Sequence, residues 1–331
     1  MRAFVLGIVA TLVLLGVVLL MASRMKGQEI TIQPDMPPLA TRALRVVPFA
    51  YLTPEAMLPY KHYLPVVYGT GDVPAVRRVR KALNLVGGVS CDELYDLDTQ
   101  WVYNWGPYTG EKCPGIPWVP MVRDRNQLDT TAHTLIGYEG PILGFNEPEN
   151  QDCAAGACMS LEELIVAWHD LEELLPGAML ASPAFLYPYG LGYDIHDFVN
   201  GYRAEYGVWP DFKIIAVHYY APNYYPMQQV KDWFEYMWSR IEALPDVYDD
   251  LPVWITETGV HTPNGLDPVA IAFGAEFLQW ELGYLEATGR VEYINWFGPR
   301  QGTYTFCVPL YSGGNLTAVG QIWRGWQGHF N

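Results

Sequence analysis

The chain has 331 residues, half of them hydrophobic and 14% aromatic, which suits one α/β barrel plus a short leader. Its net charge of −16 is spread along the chain, a field that repels phosphate backbones and anionic head groups and argues against nucleic acid as a partner. Neutral substrates stay open, and the 12 Trp and 23 Tyr suit a groove where flat sugar faces bury C–H groups on rings, beside a share that fills the core.

From Ala3 to Ala22 the chain is apolar except for Thr11 and two glycines, with Arg2 before the run and Arg24 and Lys26 after it. About twenty apolar residues span a bilayer. Leu20-Met21-Ala22 is a poor cleavage site, so residues 1–23 read as a membrane anchor in preference to a cleaved signal peptide. Either reading puts the body outside the cytoplasm, touching a membrane through this segment only. Residues 24–72 carry Pro34, Pro37, Pro38, Pro48, Pro54, Pro59 and Pro65 and little helical periodicity, the pattern of a stalk.

Residues 73–331 then alternate short apolar runs with amphipathic stretches, as βα units do. The expected strands are 85–90, 100–105, 118–122, 142–146, 179–182, 212–219, 253–256 and 292–296, eight in all. Ser160 and Glu163 form a capping box ahead of a stripe of Leu161, Leu164, Ile165, Trp168, Leu171 and Leu175. Val230, Trp233, Phe234, Met237, Ile241 and Leu244 make a second stripe, and Asp267-Pro268 opens a third helix. Eight alternations predict an α/β fold of the (β/α)8 barrel type, with the chemistry at the carboxyl ends of the strands.

Two acids stand where an apolar run ends: Glu147, after Ile142-Leu143-Gly144-Phe145-Asn146, and Glu257, after Val253-Trp254-Ile255-Thr256. They close the fourth and seventh predicted strands. A lone acid there is often the cap of the next helix. Two of them, converging on one cleft, match the paired carboxylates of glycoside cleavage, one protonated and one ionised. Asn146 can orient a sugar hydroxyl beside Glu147. Pro148 turns the chain aside, so Glu149 is read as a rim residue.

The ordered blocks Trp101-Val102-Tyr103-Asn104-Trp105-Gly106, Trp118-Val119-Pro120-Met121, Leu143-Gly144-Phe145-Asn146-Glu147-Pro148-Glu149, Ala216-Val217-His218-Tyr219-Tyr220, Trp254-Ile255-Thr256-Glu257 and Asn295-Trp296-Phe297 resemble glycoside hydrolase family 128 over about residues 85–325. The resemblance implies a (β/α)8 enzyme acting on β-1,3-glucan with retention, Glu147 as general acid/base and Glu257 as nucleophile. Thr258 and Tyr219 depart from the family's residues, and both are read as bearing on the sugar subsites.

Further substrate-binding candidates are Asn104 and Trp105 along the groove, His218 toward a sugar hydroxyl, Tyr220 on the nucleophile, and Trp296 as the floor beneath the cleaved sugar. Tyr187, Tyr189, Tyr224 and Tyr225 are candidate outer platforms. The five cysteines agree with an oxidising compartment; Cys153 and Cys158 can close a short loop, and Cys91, Cys113 and Cys307 leave an odd thiol. No His pair stands at ligand spacing, so neither metal nor cofactor is expected, and a metal-dependent hydrolase ranks last. The expected partner is a β-glucan polysaccharide or oligosaccharide and the expected state a monomer. Rival readings are a hydrolase of another β-glycan or exopolysaccharide, and a non-catalytic carbohydrate-binding protein displayed on the membrane.

Overall fold

A computed structural model describes residues 79–85, 88–188, 192–300 and 306–327. The anchor or signal segment 1–23, the stalk 24–72 and Tyr189 lie outside the described residues. Among the described residues no helix is long and apolar enough to cross a membrane.

The strands in chain order are β1 (Arg80–Asn84), β2 (Val102–Tyr103), β3 (Glu111–Cys113), β4 (Ile116–Pro117), β5 (Pro141–Ile142), β6 (Met179–Leu180), β7 (Phe185–Tyr187), β8 (Ile215–Pro222), β9 (Val253–His261), β10 (Val291–Trp296), β11 (Tyr311–Ser312) and β12 (Asn315–Leu316). The α-helices are α1 (Cys91–Asp96), α2 (Arg125–Thr130), α3 (Leu161–Leu174), α4 (Ile195–Tyr206), α5 (Met227–Glu242), α6 (Pro268–Thr288) and α7 (Ala318–Gly325).

This is an α/β fold with a parallel sheet in the order β2-β1-β10-β9-β8-β7. Parallel bridges continue it from Val102 to Trp118, Met121 to Leu143, Asn146 to Ala184 and Ala181 to Ile214. The pairings return to where they began, which makes the fold barrel-like. Ala82, Trp101, Tyr103, Val119, Met121, Leu143, Ala181, Ala184, Ile214, Ala216, Trp254 and Tyr293 form one inner cluster with members from all eight strand positions. The larger cluster, with Trp168, Phe198, Phe234, Phe277 and Trp323, lies between strands and helices.

The helices form where their caps and stripes predict. Ser160 and Glu163 make the capping box of α3, worth about 1 kcal/mol, and Leu164, Ile165, Trp168 and Leu171 are buried. Every residue of the Val230–Leu244 stripe is buried. Asp267 accepts from the Val269 amide, with Pro268 in the first turn of α6.

The first strand differs from expectation: it is Arg80–Asn84, not 85–90. Two cations at its start hide the strand pattern, yet Lys81 is buried. Its ammonium donates to the carbonyls of Trp323 and Trp326 at 3.2 and 3.0 Å, beside Asp98 at 3.8 Å. Ser90 caps the helix α1 instead of ending a strand. Cys91 pairs with Cys113 and Cys153 with Cys158, and Cys307 is free and buried.

Candidate active site

Glu147, just after the bridge at Asn146, and Glu257, at the middle of β9, come together, 6% and 3% exposed. His218, fully buried on β8, lies between them, with Nδ1 2.9 Å from Glu147 Oε1 and 3.7 Å from Glu257 Oε2. One carboxylate oxygen from each acid and a nitrogen of His218 all lie within 4.8 Å of one another.

A bulge aims Glu257 inward. Trp254 points into the inner cluster and Ile255 outward, so strict alternation would turn residue 257 outward. Instead Val217 pairs with Ile255 and the next residue, His218, with Glu257. On the other side Ile294 pairs with Ile255 and Trp296 with Thr258. Both neighbours count one extra residue in β9, and that residue re-phases the strand, a common device beside active sites.

Three donors then fix the Glu257 carboxylate. Tyr103 Oη donates to Oε1 at 2.7 Å and also reaches the Thr256 carbonyl at 2.9 Å. Trp105 Nε1 donates to the same oxygen at 3.0 Å, and the Tyr220 hydroxyl donates to Oε2. Burial and the nearby Glu147 push the Glu257 carboxyl upward, while His218 and the two tyrosine hydroxyls pull it back; the net direction is up. For His218, burial pulls down, and the carboxylates of Glu257 and Glu147 outweigh it, so its net direction is also up.

Glu147 sits at φ +43° and Trp105 at φ +54°, in the left-handed region that non-glycine residues seldom adopt. Such backbone persists where the surroundings over-determine it. The Glu147 amide donates to the Ala184 carbonyl at 2.9 Å. Gln127 on α2 donates to the Trp105 carbonyl at 2.7 Å. The Glu147 oxygens are both engaged, Oε1 with His218 and Oε2 with Asn150 Nδ2 at 2.8 Å.

Residues 85–323 match the model of the family described as the glycosyl hydrolase catalytic core. The chain belongs to that family. Among curated proteins it is similar to alkali-sensitive linkage protein 1 of Schizosaccharomyces pombe, 25% identical over 245 residues. That match covers 70% of this chain and 41% of the relative, so the chain spans about two-fifths of the relative's length.

Solved structures with the same fold include a family 128 subgroup II endo-β-1,3-glucanase from Sorangium cellulosum. That match has a TM-score of 0.58 and 23% identity, and covers 74% of this chain and 98% of that one. A subgroup I endo-β-1,3-glucanase variant from Amycolatopsis mediterranei, in complex with laminaripentaose, matches with TM-score 0.57, 23% identity and coverage of 75% and 99%. A subgroup III curdlan-specific exo-β-1,3-glucanase from Blastomyces gilchristii, in complex with glucose, gives 0.53, 21%, 75% and 98%.

Within this glycosyl hydrolase core, the structure gathers Glu147, Glu257, His218, Tyr220 and Trp105 into one hydrogen-bonded group. Asn146 stands beside it, 2% exposed, with Nδ2 donating to the Ala155 carbonyl at 3.1 Å and a buried Oδ1 that has no partner among the described residues. Asn104 is half-buried and is in no hydrogen bond with either acid.

Other expectations are corrected. Trp296 is not a floor: it points outward, fully buried, its Nε1 donating to the Val308 carbonyl at 2.9 Å and its ring near Trp323. The ring that faces Trp105 and Tyr220 belongs to Phe297, one residue on. Glu149 is not at the rim but 1% exposed, with the Leu186 amide donating to Oε1 at 2.6 Å and a buried Oε2 without a partner among the described residues. Burial pushes its carboxyl up to about 8.

Thr258 and Tyr219 also face away from the cleft. Thr258 donates to Glu281 on α6 at 2.8 Å, and the Tyr219 hydroxyl donates to the Val230 carbonyl at 2.6 Å. Tyr224 is exposed, Tyr225 packs its edge on Trp233, and Tyr187 is half-buried.

Three site residues were missed in the sequence, Tyr103, Asn150 and Phe297. The parity of Trp101 and Tyr103 along one strand is the signal that places Tyr103 inside. Asn150 carried none. Glu147, His218 and Glu257 could also hold a cation by their spacing. The donors already on both carboxylates compete with that use.

Proposed function

We propose that the chain is a retaining glycoside hydrolase that cleaves a β-glucan, β-1,3-linked, by double displacement. The observation that carries this reading is the meeting of two buried carboxylates with oxygens within 4.8 Å. Oxygens this near one another favour covalent attack, for which the carboxyl groups stand roughly 5 Å apart, over the wider pair of roughly 6.5–9.5 Å that an inverting site uses.

Glu257, held by three donors, attacks the anomeric carbon as Glu147 protonates the departing glycosidic oxygen. The sugar–Glu257 ester then breaks as water attacks the same carbon and gives its proton to Glu147. His218 sits against both acids, so it feels the charge as the proton moves. Tyr220 and Tyr103 favour the ionised form of Glu257 by donating to it. Trp105 and Phe297 offer aromatic faces beside it.

The β-1,3 linkage is supported by the named activities of the similar solved enzymes and by the laminaripentaose bound to one of them. Two disulfides support a place outside the cytoplasm.

Hydrolysis of laminarin by purified protein tests the reading. Glu147→Gln and Glu257→Gln are each expected to lose at least about a hundredfold in rate while keeping the circular-dichroism spectrum of the wild type. Wild-type rates in either variant would sink the assignment. The same assay with a chelator is expected to run undiminished; loss of activity that zinc restores would favour a metal at the Glu147–His218–Glu257 cluster instead.

A further inference from the structure

We propose that the loop from Asn150 to Cys158, closed by the Cys153–Cys158 disulfide, is a clasp that positions the Glu147 carboxylate, with Asn150 as its positioning residue. This rests on the acid/base role of Glu147 proposed above. The loop is anchored to the turn that carries Glu147 at four places. The Asn150 amide donates to the Glu147 carbonyl at 3.0 Å, the Ala157 amide to the Asn146 carbonyl at 2.7 Å and the Met159 amide to the Pro148 carbonyl at 2.8 Å. Asn146 Nδ2 returns a bond to the Ala155 carbonyl. At Gly156 the two backbones meet so closely that a Cβ would stand 2.5 Å from the Glu147 carbonyl oxygen.

From the other side, Arg123 Nη2 reaches the carbonyls of Ala154, Ala155 and Gly156 at 2.9, 3.1 and 3.2 Å. The rim of this loop, Gln151 to Ala155, is exposed. Among the described residues, its hydrogen bonds beyond the loop itself nonetheless go to the acid's own turn and to Arg123, while Ala157 packs on the core behind. An exposed loop of this length without a cross-link would keep much of its freedom. The disulfide removes that freedom on the side that holds Glu147 at its unfavourable φ of +43°.

The Asn150 side chain cannot turn over in place. Its Oδ1 accepts the Asp152 amide at 3.0 Å, so Nδ2 faces Glu147 Oε2 as a donor. That bond on Oε2 and His218 on Oε1 hold the Glu147 carboxyl at one rotation, so Asn150 sets the orientation from which the proton is given and taken.

The test compares kcat/KM on laminarin with kcat/KM on a dinitrophenyl β-glucan oligosaccharide, whose leaving group departs without a proton. Asn150→Ala is expected to lose about tenfold or more on laminarin and less than about twofold on the aryl substrate. Asn150→Leu, of similar size but without the N–H, is expected to show the same split. It serves as the second variant should the alanine form fold poorly. The double variant Cys153→Ala with Cys158→Ala is expected to show the split in weaker form.

Equal losses on both substrates would mean a merely structural loop and overturn the proposal, as would unchanged rates on laminarin. A double cysteine variant with wild-type rates would remove the disulfide from the account. Glu147→Gln, assayed alongside, separates the two readings. If it hydrolyses laminarin normally the acid/base assignment fails; if it is inactive while Asn150→Ala is unaffected, only the clasp fails.

Discussion

Tyr103, Trp105 and Tyr220 surround Glu257 with N–H and O–H groups, and each donor favours the carboxylate over the acid. Burial works the other way and prevails. Removing a donor therefore raises the pH at which Glu257 becomes ionised. Tyr220→Phe is expected to lower kcat/KM by about 10- to 100-fold, the usual cost of a hydrogen bond to a charge. The acidic limb of its pH profile should move to higher pH. A loss without movement of that limb would mean that Tyr220 acts only by packing.

The position of Tyr220 beside Glu257 was legible in the sequence, because residues 218 and 220 share a face of one strand. Glu149 was not. Its burial depends on where the chain turns after Pro148, and neighbouring acids in a turn look alike in sequence whether they face water or the core. Held up to about 8 by burial, Glu149 keeps its proton at neutral pH, unlike an exposed rim acid.

Among the elements, β9 carries the most consequence. One extra residue between Ile255 and Thr258 brings Glu257 into the barrel and turns Thr258 onto α6. The same re-phasing accounts for one misreading: a bulge has no signature in a single apolar run, so Thr258 looked like a cleft residue. Trp296 is outward by the ordinary alternation of β10, in which Tyr293 faces in and Ile294 out. The charged start of β1 misled in a different way, since Arg80-Lys81 resembles a loop until the carbonyls that receive Lys81 are known.

The partner of Thr258 offers a test at this level. Glu281 is fully buried on α6, and burial raises its carboxyl from 4.5 to about 8. The folded value lies above the unfolded one, so the folded state holds an extra proton between those two pH values. Its contribution to stability is complete below the unfolded value and is lost as pH rises toward the folded one. Glu281→Gln keeps an acceptor for Thr258 and removes the titration. Urea unfolding between about pH 5 and about pH 8 should show the variant gaining on the wild type by up to about 1.4 kcal/mol per pH unit. Parallel pH curves for the two proteins would contradict the buried, protonated state of Glu281.

For the whole molecule, the alternation of apolar runs and stripes was enough to predict a barrel-like α/β fold, because each βα unit must bury one strand and one helix face. Seven of the eight strand positions overlap those expected from the runs, and the inner cluster draws on all eight. The two acids were legible for the same reason: each follows a buried run at the end where barrels place their chemistry. What the pattern could not supply was the hydrogen bonding among Glu147, His218, Glu257 and Asn150. The bond between His218 and Glu147 joins residues 71 positions apart through the closure of the strands.

The proposed covalent bond between Glu257 and the sugar, with Glu147 moving the proton, is read by proton NMR of the first product released from β-1,3-glucan, recorded before the anomers equilibrate. The β-anomer appearing first is the predicted result, since two displacements restore the starting configuration. The α-anomer appearing first would show a single displacement by water and contradict the account.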